Sequence, residues 1–98
     1  EAIMHHQAVQ EVAVIGVPDT LRGTRIKAYI ILKPGFEPSD ELVVDIQNYT
    51  KEQTAPYKYP REIEFAATLP KSFSGKIKRD VLRKHSEQGG GEHFWEKS

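Results

Sequence analysis

Residues 26–33 constrain the fold more than any other part of this sequence. The run is apolar at most positions and rich in β-branched side chains, which favour an extended backbone. Because both faces of such a strand are apolar, we predict a central strand with a packing layer on each side. Residues 12–17 form a second β-branched run that ends at Pro18 and Asp19, and this pattern predicts a neighbouring buried strand. In the basic loop between the two strands, Gly23 is expected to supply the bend.

The signals of a helix follow these two strands. Ser39 is a suitable N-cap residue, and Asp40 and Glu41 come next, where acidic side chains suit the positive end of the helix dipole. The helix is expected to end before Pro56, which disfavours helical geometry in the residue ahead of it. The apolar residues that recur at helical spacing are Leu42, Val43, Ile46 and Tyr49.

The second half of the chain completes the order of elements. Residues 62–65 alternate between polar and apolar, as a half-buried strand does. Residues 79–85 read as a short helix with Val81 and Leu82 facing inward. The order strand, strand, helix, strand, loop, helix predicts a small α+β domain, with a mainly antiparallel sheet and helices packed against it. We expect this domain over residues 1–87 and a flexible, glycine-containing tail over residues 88–98.

Composition narrows the class of protein. At 98 residues, with 38% hydrophobic and 29% charged residues, the chain has the size and composition of one soluble globular domain. It has no cysteine, which excludes disulfides and thiolate sites, and no apolar run approaches the roughly 20 residues of a membrane-spanning helix. The first residue, Glu1, is not an initiator methionine, and we expect the chain to be a piece of a longer protein.

The charges are unevenly distributed although the net charge is zero. Residues 1–50 carry 4 Lys/Arg against 7 Asp/Glu, and residues 51–98 carry 10 against 7. The excess of positive charge lies mostly in residues 71–84. Such a stretch suits an anionic small molecule or nucleic acid, and the alternative is a basic helix face that is simply solvated. The charged residues of this stretch are Lys71, Lys76, Lys78, Arg79, Arg83 and Lys84, with Asp80 as the single acid.

A loop of small residues precedes the second helix and carries Gly75 and Lys76. Glycine lacks a Cβ atom, so Gly75 can adopt a positive φ and let the loop present Lys76 to a phosphate or carboxylate oxygen. The loop is not a P-loop, because that motif needs glycine at position 70 and Ser or Thr after the lysine, where Pro70 and Ile77 stand. The histidines show no metal-ligand spacing, and no Gly-x-Ser-x-Gly element is present.

Several motifs in this order resemble the C-terminal domain of the adenylate-forming superfamily, which comprises acyl-CoA synthetases, nonribosomal adenylation domains and luciferases. The resemblance covers roughly residues 6–85. The 57–61 stretch, Tyr-Lys-Tyr-Pro-Arg, is most similar to medium-chain and aromatic acyl-CoA synthetases. The matching motifs are the 6–19 segment that ends in Val-Pro-Asp, Arg22-Gly23 followed by Lys27-Ala28, the 54–61 segment, and Pro70 followed by Gly75-Lys76-Ile77, Arg79, Leu82 and Arg83.

The resemblance implies two half-reactions. A carboxylate attacks the α-phosphate of ATP to give an acyl-adenylate and pyrophosphate, and the thiol of CoA then displaces AMP. Lys76 stands at the position of the family's catalytic lysine, and Gly75 in the same loop is a cofactor-binding candidate. After adenylation the domain of this family swings and offers another surface to CoA. The residues that the resemblance places on the CoA nucleotide are Arg22, Tyr59, Pro60 and Arg61, with Lys51 as a further candidate.

Other interpretations of these residues stay open at this point. Arg61 can pair with Glu62 or Glu64 instead of a phosphate, and Tyr59 can belong to the core. The whole chain can also be a free-standing module that binds a nucleotide or nucleic acid through its basic 71–84 face.

The resemblance also implies substrates and partners. ATP, a carboxylic acid and CoA are the expected substrates, and Mg²⁺ is expected in the large N-terminal domain that these residues do not include. That domain is the expected protein partner, and neither nucleic acid nor a membrane span is expected. The expected location is the cytoplasm, with the mitochondrial matrix as the alternative.

Overall fold

The computed structural model describes residues 2–21, 23–54 and 59–87 and shows the predicted order of elements. A short 3₁₀ helix, Ala2–His5, precedes strands β1 (Val9–Asp19) and β2 (Gly23–Leu32). Helix α1 (Asp40–Gln53), strand β3 (Glu62–Phe65) and helix α2 (Arg79–Glu87) complete the domain. The predicted α+β class is therefore confirmed.

The three strands form one sheet in the order β1-β2-β3, so β2 is central as predicted. β1 and β2 pair antiparallel over a long register, from Val9 opposite Leu32 to Asp19 opposite Gly23. β3 pairs parallel to β2, from Lys27 opposite Glu62 to Ile30 opposite Phe65. The sheet is thus mixed: its longer pairing is antiparallel, and the parallel pairing arises because α1 crosses over between β2 and β3.

Each face of the sheet is covered by its own helix, and successive residues of β2 point to opposite faces. Ala28 and Ile30 pack on the α1 side, whereas Tyr29 packs on the α2 side. The buried residues of the α1 side are Ile3, Val9, Ala28, Ile30, Val43, Ile46, Ile63 and Phe65. Those of the α2 side are Ala13, Ile15, Val17, Tyr29, Ala66, Leu69 and Leu82.

Helix α1 begins and ends as its sequence indicates. The Ser39 hydroxyl accepts a hydrogen bond of 3.0 Å from the Leu42 backbone N–H, which satisfies one free donor of the first turn. At the other end, the Thr54 N–H donates to the Thr50 carbonyl, and the helix ends before position 56 as predicted. No helix in the described ranges is long and apolar enough to cross a membrane.

Two orientation predictions for the second half of the chain are wrong. Leu82 is fully buried, but Val81 is 38% exposed, because neighbours on a helix point about 100° apart and only one of them can face the sheet. The alternation of residues 62–65 predicts Glu64 on the solvent side of a half-buried strand, but Glu64 is completely buried because His85 of α2 lies over it.

Candidate functional site

The loop of residues 70–78, here called the lysine loop, is a small closed structure. Its base is a β-bridge between Lys71 and Ile77. Ser72 organises the interior: its N–H donates to the Lys76 carbonyl at 2.7 Å, and its hydroxyl accepts from the Lys76 N–H at 3.2 Å. The Gly75 N–H donates to the Ser72 carbonyl at 2.9 Å. These bonds give the loop one defined shape.

Gly75 has the positive φ that the sequence predicts, with a value of +90°. A Cβ atom at this position would meet no other atom within 4 Å, so the requirement for glycine comes from the backbone conformation and not from lack of space. The loop therefore depends on Gly75 for the turn that precedes Lys76.

The two lysines of the loop have different surroundings. The Lys71 ammonium lies 2.7 Å from the Glu11 carboxylate, which ties the base of the loop to β1. The Lys76 side chain is exposed, and its ammonium has no hydrogen-bond or ion-pair partner within the described ranges. Phe73 is fully exposed on the same loop. The loop thus holds out an ammonium group that is available to an anion.

The residues predicted to contact CoA are partly brought together. The Lys51 ammonium lies 4.5 Å from the centroid of the Tyr59 ring, and the Arg61 guanidinium carbon lies 5.0 Å from it. Arg61 also donates to the Tyr59 hydroxyl at 3.0 Å. We call Lys51, Tyr59 and Arg61 the Tyr59 cluster. Arg22, the remaining charged candidate, lies outside the described residues.

The backbone beneath the Tyr59 cluster is anchored on two elements. Pro60 is buried, and its carbonyl accepts a hydrogen bond of 3.1 Å from the Gln47 side chain of α1. The Arg61 N–H donates to the Ile26 carbonyl of β2 at 2.9 Å. Tyr59 is half-buried and not a core residue, and Arg61 bonds to Tyr59 rather than forming an ion pair with either neighbouring glutamate.

The lysine loop and the Tyr59 cluster lie on different sides of the sheet. Leu69 and Ile77, which flank the loop, pack on the α2 side, whereas Lys51 is in the last turn of α1 on the other side. Within the described ranges, no contact joins the two groups. The structure therefore does not combine the predicted residues into a single pocket.

A buried charge cluster on the α2 side was not predicted. It consists of Lys27 and Tyr29 of β2 together with Glu62 and Glu64 of β3, which face one another in the parallel register. The Lys27 ammonium, 1% exposed, lies 2.8 Å from Glu64 and 3.2 Å from Glu62. Arg25 donates to Glu62 at 2.8 Å from the outer side. The signal in the sequence is the spacing of two residues on each strand, which puts all four on one face.

The neighbours in this cluster shift several pKa values. Burial alone would lower the pKa of Lys27, but Glu64 and Tyr29 outweigh burial and raise it above 10.5. Burial raises the pKa of Tyr29 above 10.0 despite the nearby ammonium. For Glu62, burial acts to raise the pKa, yet Arg25 and Lys27 lower it below its ordinary value. Ionised Glu62 is therefore stabilised, and so are protonated Lys27 and neutral Tyr29.

These shifts predict a loss of stability at alkaline pH. Because Lys27 and Tyr29 have raised pKa values in the folded chain, their contribution is complete below pH 10 and is lost as the pH rises above it. We expect the free energy of unfolding to fall from about pH 10 upward. Denaturant titrations at stepped pH, with tyrosinate absorbance recorded in parallel, check this.

Tyr29→Phe is the matched variant for the alkaline titration, because it keeps the ring and removes the group that ionises. It should show a shallower fall of the unfolding free energy above pH 10 than the wild type. In the wild type, Tyr29 should ionise only as the chain unfolds. An identical slope in the variant would mean that Tyr29 does not contribute to the alkaline transition.

A groove of about 490 Å³ lies between the end of the β1–β2 hairpin and α2. Arg25 in its wall is engaged by Glu62 and by the Pro18 carbonyl, whereas the Arg83 side chain is exposed. The groove is thus a second basic surface on the α2 side.

No metal site is found in the described part of the chain. The described residues include no group of three or more His, Asp or Glu side chains that could hold a metal ion.

Comparison with known proteins gives one consistent family. Residues 1–76 match the model of the AMP-binding enzyme C-terminal domain. The chain is 52% identical over 88 residues to a Bacillus subtilis protein named uncharacterized acyl–CoA ligase YtcI, covering 90% of this chain and 17% of that protein. It is 49% identical over 85 residues to the human mitochondrial acyl-coenzyme A synthetase ACSM1, covering 85% of this chain and 15% of that protein.

The fold shows the same relationship. The crystal structure of the Brucella canis acyl-CoA synthetase superposes with a TM-score of 0.85 at 47% identity, covering 89% of this chain and 16% of that one. This chain therefore spans about a sixth of the length of the proteins that it matches.

Proposed function

Since the chain belongs to the family of AMP-binding enzyme C-terminal domains, we propose that it is the mobile, lysine-bearing domain of an AMP-forming acyl-CoA synthetase. In this role it supplies a catalytic lysine for adenylation of a carboxylic acid and part of the surface that binds CoA. ATP, the acid and CoA are the substrates. The partner of the domain is the large N-terminal domain, which holds the acid and the Mg²⁺ that accompanies ATP.

The observation that carries this proposal is the exposed ammonium of Lys76 on a loop of defined shape. During adenylation an anionic carboxylate approaches an α-phosphate, and negative charge grows on the phosphoryl oxygens. A cation held between the two anions lowers this barrier, and a loop that is already ordered needs little reorganisation to place it. The hydrogen bonds of Ser72 and the positive φ of Gly75 order the loop in this way.

The Tyr59 cluster supports the second part of the proposal. Guanidinium and ammonium groups suit the phosphates of CoA, and the Tyr59 ring can stack on its adenine. Both cations lie over that ring, so an adenine that stacks on Tyr59 has cations beside it for the CoA phosphates. We assign Arg22, Lys51, Tyr59, Pro60 and Arg61 to the CoA surface, Pro60 through the backbone that it fixes.

The separation of the two groups has a consequence for the reaction. Lys76 and the Tyr59 cluster lie on different sides of one sheet, so one orientation of the domain cannot offer both to the same bound acyl group. This arrangement supports the swing that the family resemblance implies: we propose that the domain presents the lysine loop during adenylation and turns to present the Tyr59 cluster during thioester formation.

The alternative, a nucleic-acid-binding module, has less support. Two cations of the basic 71–84 stretch are already engaged, since Lys71 pairs with Glu11 and Arg79 donates to the Val14 carbonyl. The named relatives are ligases. For the location of the enzyme we propose the cytoplasm, with the mitochondrial matrix as the second candidate because one relative is mitochondrial.

A direct test compares the longer protein that carries this sequence with the 98-residue chain alone. The longer protein should exchange pyrophosphate into ATP when a carboxylic acid is present, and it should release AMP and form an acyl-CoA when CoA is added. The isolated chain should do neither, because the pockets for ATP and the acid belong to the other domain. Activity of the isolated chain, or no exchange by the longer protein with a panel of medium-chain and aromatic acids, would contradict the proposal.

A further inference from the structure

Helix α2 is short and has little apolar contact to hold it in place. It spans Arg79–Glu87, a length at which an isolated helix is only marginally stable in water. Leu82 is its one fully buried apolar residue in the described ranges, and Val81 is 38% exposed. The orientation of α2 must therefore depend largely on its polar contacts with the sheet.

Those polar contacts come from the buried charge cluster. The Tyr29 hydroxyl donates to the Leu82 carbonyl at 3.2 Å and lies 3.2 Å from His85 Nδ1. The Lys27 ammonium donates to the Ser86 hydroxyl at 3.3 Å. Glu64 Oε2 lies 3.6 Å from the same Nδ1 atom of His85. The cluster thus contacts α2 at three residues, Leu82, His85 and Ser86.

The composition of the cluster indicates a role beyond stability. Lys27 and Glu64 are almost completely buried, and burying a charge pair commonly costs as much as its attraction returns. The Lys27 ammonium and the Glu64 carboxylate form an ion pair of 2.8 Å. A well-packed apolar group would stabilise this position equally well, whereas directional polar contacts fix one orientation of a helix.

The placement of α2 is transmitted to Lys76 through the backbone. The Lys78 carbonyl accepts hydrogen bonds from the Val81 and Leu82 N–H groups, so the last residue of the lysine loop is part of the first turn of α2. The Lys78 N–H in turn donates to the Pro70 carbonyl at 2.9 Å, at the start of the loop. A rotation or shift of α2 therefore moves the base of the loop and displaces Lys76.

We propose that Lys27, Tyr29 and Glu64 are positioning residues for the adenylation half-reaction. They hold α2 in one orientation on the sheet, and α2 sets the direction in which the lysine loop presents the Lys76 ammonium. The inference rests on the proposed function, in which Lys76 acts in adenylation and not in thioester formation. Loss of the buried charge cluster should therefore slow adenylation and leave thioester formation unchanged.

Tyr29→Phe is the first test, because it removes one hydroxyl and keeps the buried ring. In the longer enzyme, ATP–pyrophosphate exchange should fall about tenfold, the factor that corresponds to one lost hydrogen bond. Thioester formation from supplied acyl-adenylate should stay near the wild-type rate. Glu64→Gln should bias the half-reactions in the same direction, and if this variant does not fold, Tyr29→Phe alone decides.

A double variant, Lys27→Met with Glu64→Leu, separates positioning from stability. Apolar side chains fill the space of the pair, so the protein should keep its unfolding midpoint or exceed it while the exchange defect remains. Val43→Ala is the matched control, since it weakens the core on the α1 side, away from α2. It should lower the unfolding midpoint without changing the ratio of the two half-reactions.

The outcomes distinguish this inference from the function on which it rests. The control Val43→Ala is expected to leave the ratio of the two half-reactions unchanged. If the Tyr29 and Glu64 variants also leave this ratio unchanged, the cluster is only structural and the inference is wrong. Lys76→Ala in the same assays identifies the other failure. If that variant retains pyrophosphate exchange, the proposed function is wrong, whatever the cluster variants show.

Discussion

Replacement of Lys76 by alanine is expected to lower carboxylate-dependent ATP–pyrophosphate exchange by about 10²–10³-fold or more, as loss of a preorganised charge does in other active sites. The side chain has no partner in the described ranges, so its removal leaves no unpaired group behind among those residues. The loop should keep its shape, since its hydrogen bonds involve the backbone and Ser72 and not the ammonium. The loss would then report the chemistry of the ammonium alone.

The same Lys76→Ala protein should still convert supplied acyl-adenylate and CoA to the thioester at nearly the wild-type rate. Lys78→Ala is the matched control, because it removes the same charge from an exposed position two residues away on the same loop. Its exchange rate should stay close to that of the wild type. Exchange that survives in Lys76→Ala, or an equal loss in both variants, would show that the position of the charge is unimportant and that Lys76 is not catalytic.

Replacement of Arg61 by alanine should raise the KM for CoA about tenfold or more, which is the typical effect of losing a hydrogen bond between charged groups. Arg61 is exposed, and it bonds to the Tyr59 hydroxyl while its guanidinium lies over the same ring. It can therefore reach a phosphate and still orient the ring. Exchange of pyrophosphate into ATP, which does not involve CoA, should be unaffected.

The control for Arg61 is Lys33→Ala. Lys33 is an exposed cation just past the end of β2. The Arg61 N–H donates to Ile26 near the start of β2, so the two cations lie at opposite ends of this strand. If nonspecific attraction of an anionic substrate explains the effect, both variants should raise the KM for CoA equally. An unchanged KM in Arg61→Ala would remove this residue from the CoA surface.

Much of the fold could be predicted because its signals are local. The β-branched runs specify β1 and β2, and the Ser39 cap specifies the start of α1. The apolar character of both faces of residues 26–33 correctly indicates that β2 is central, since only a strand covered on both sides tolerates it. In the same way, Gly75 ahead of Lys76 predicts the positive φ of the lysine loop.

The candidate site was predictable to a lesser degree. The family motifs point to Lys76 and to the Tyr59 cluster, and the structure adds that Lys51, Tyr59 and Arg61 are in contact. It also adds that these residues lie away from the lysine loop, which supports the turn of the domain that the family resemblance implies. Spacing along the chain contains no information about which side of a sheet a later loop will cover.

The sequence by itself determined the order of the elements, the cap of α1, the turn at Gly75 and the residues that suit an anionic substrate. All of these depend on neighbours within a few positions, where backbone preferences act directly. Only the tertiary structure decided that Glu64 is buried, that Leu82 rather than Val81 faces the sheet, and that Lys27 and Tyr29 form hydrogen bonds to α2. These features depend on how β3 and α2 pack against β2, and that packing joins residues 35 to 59 positions apart, for which no local pattern exists.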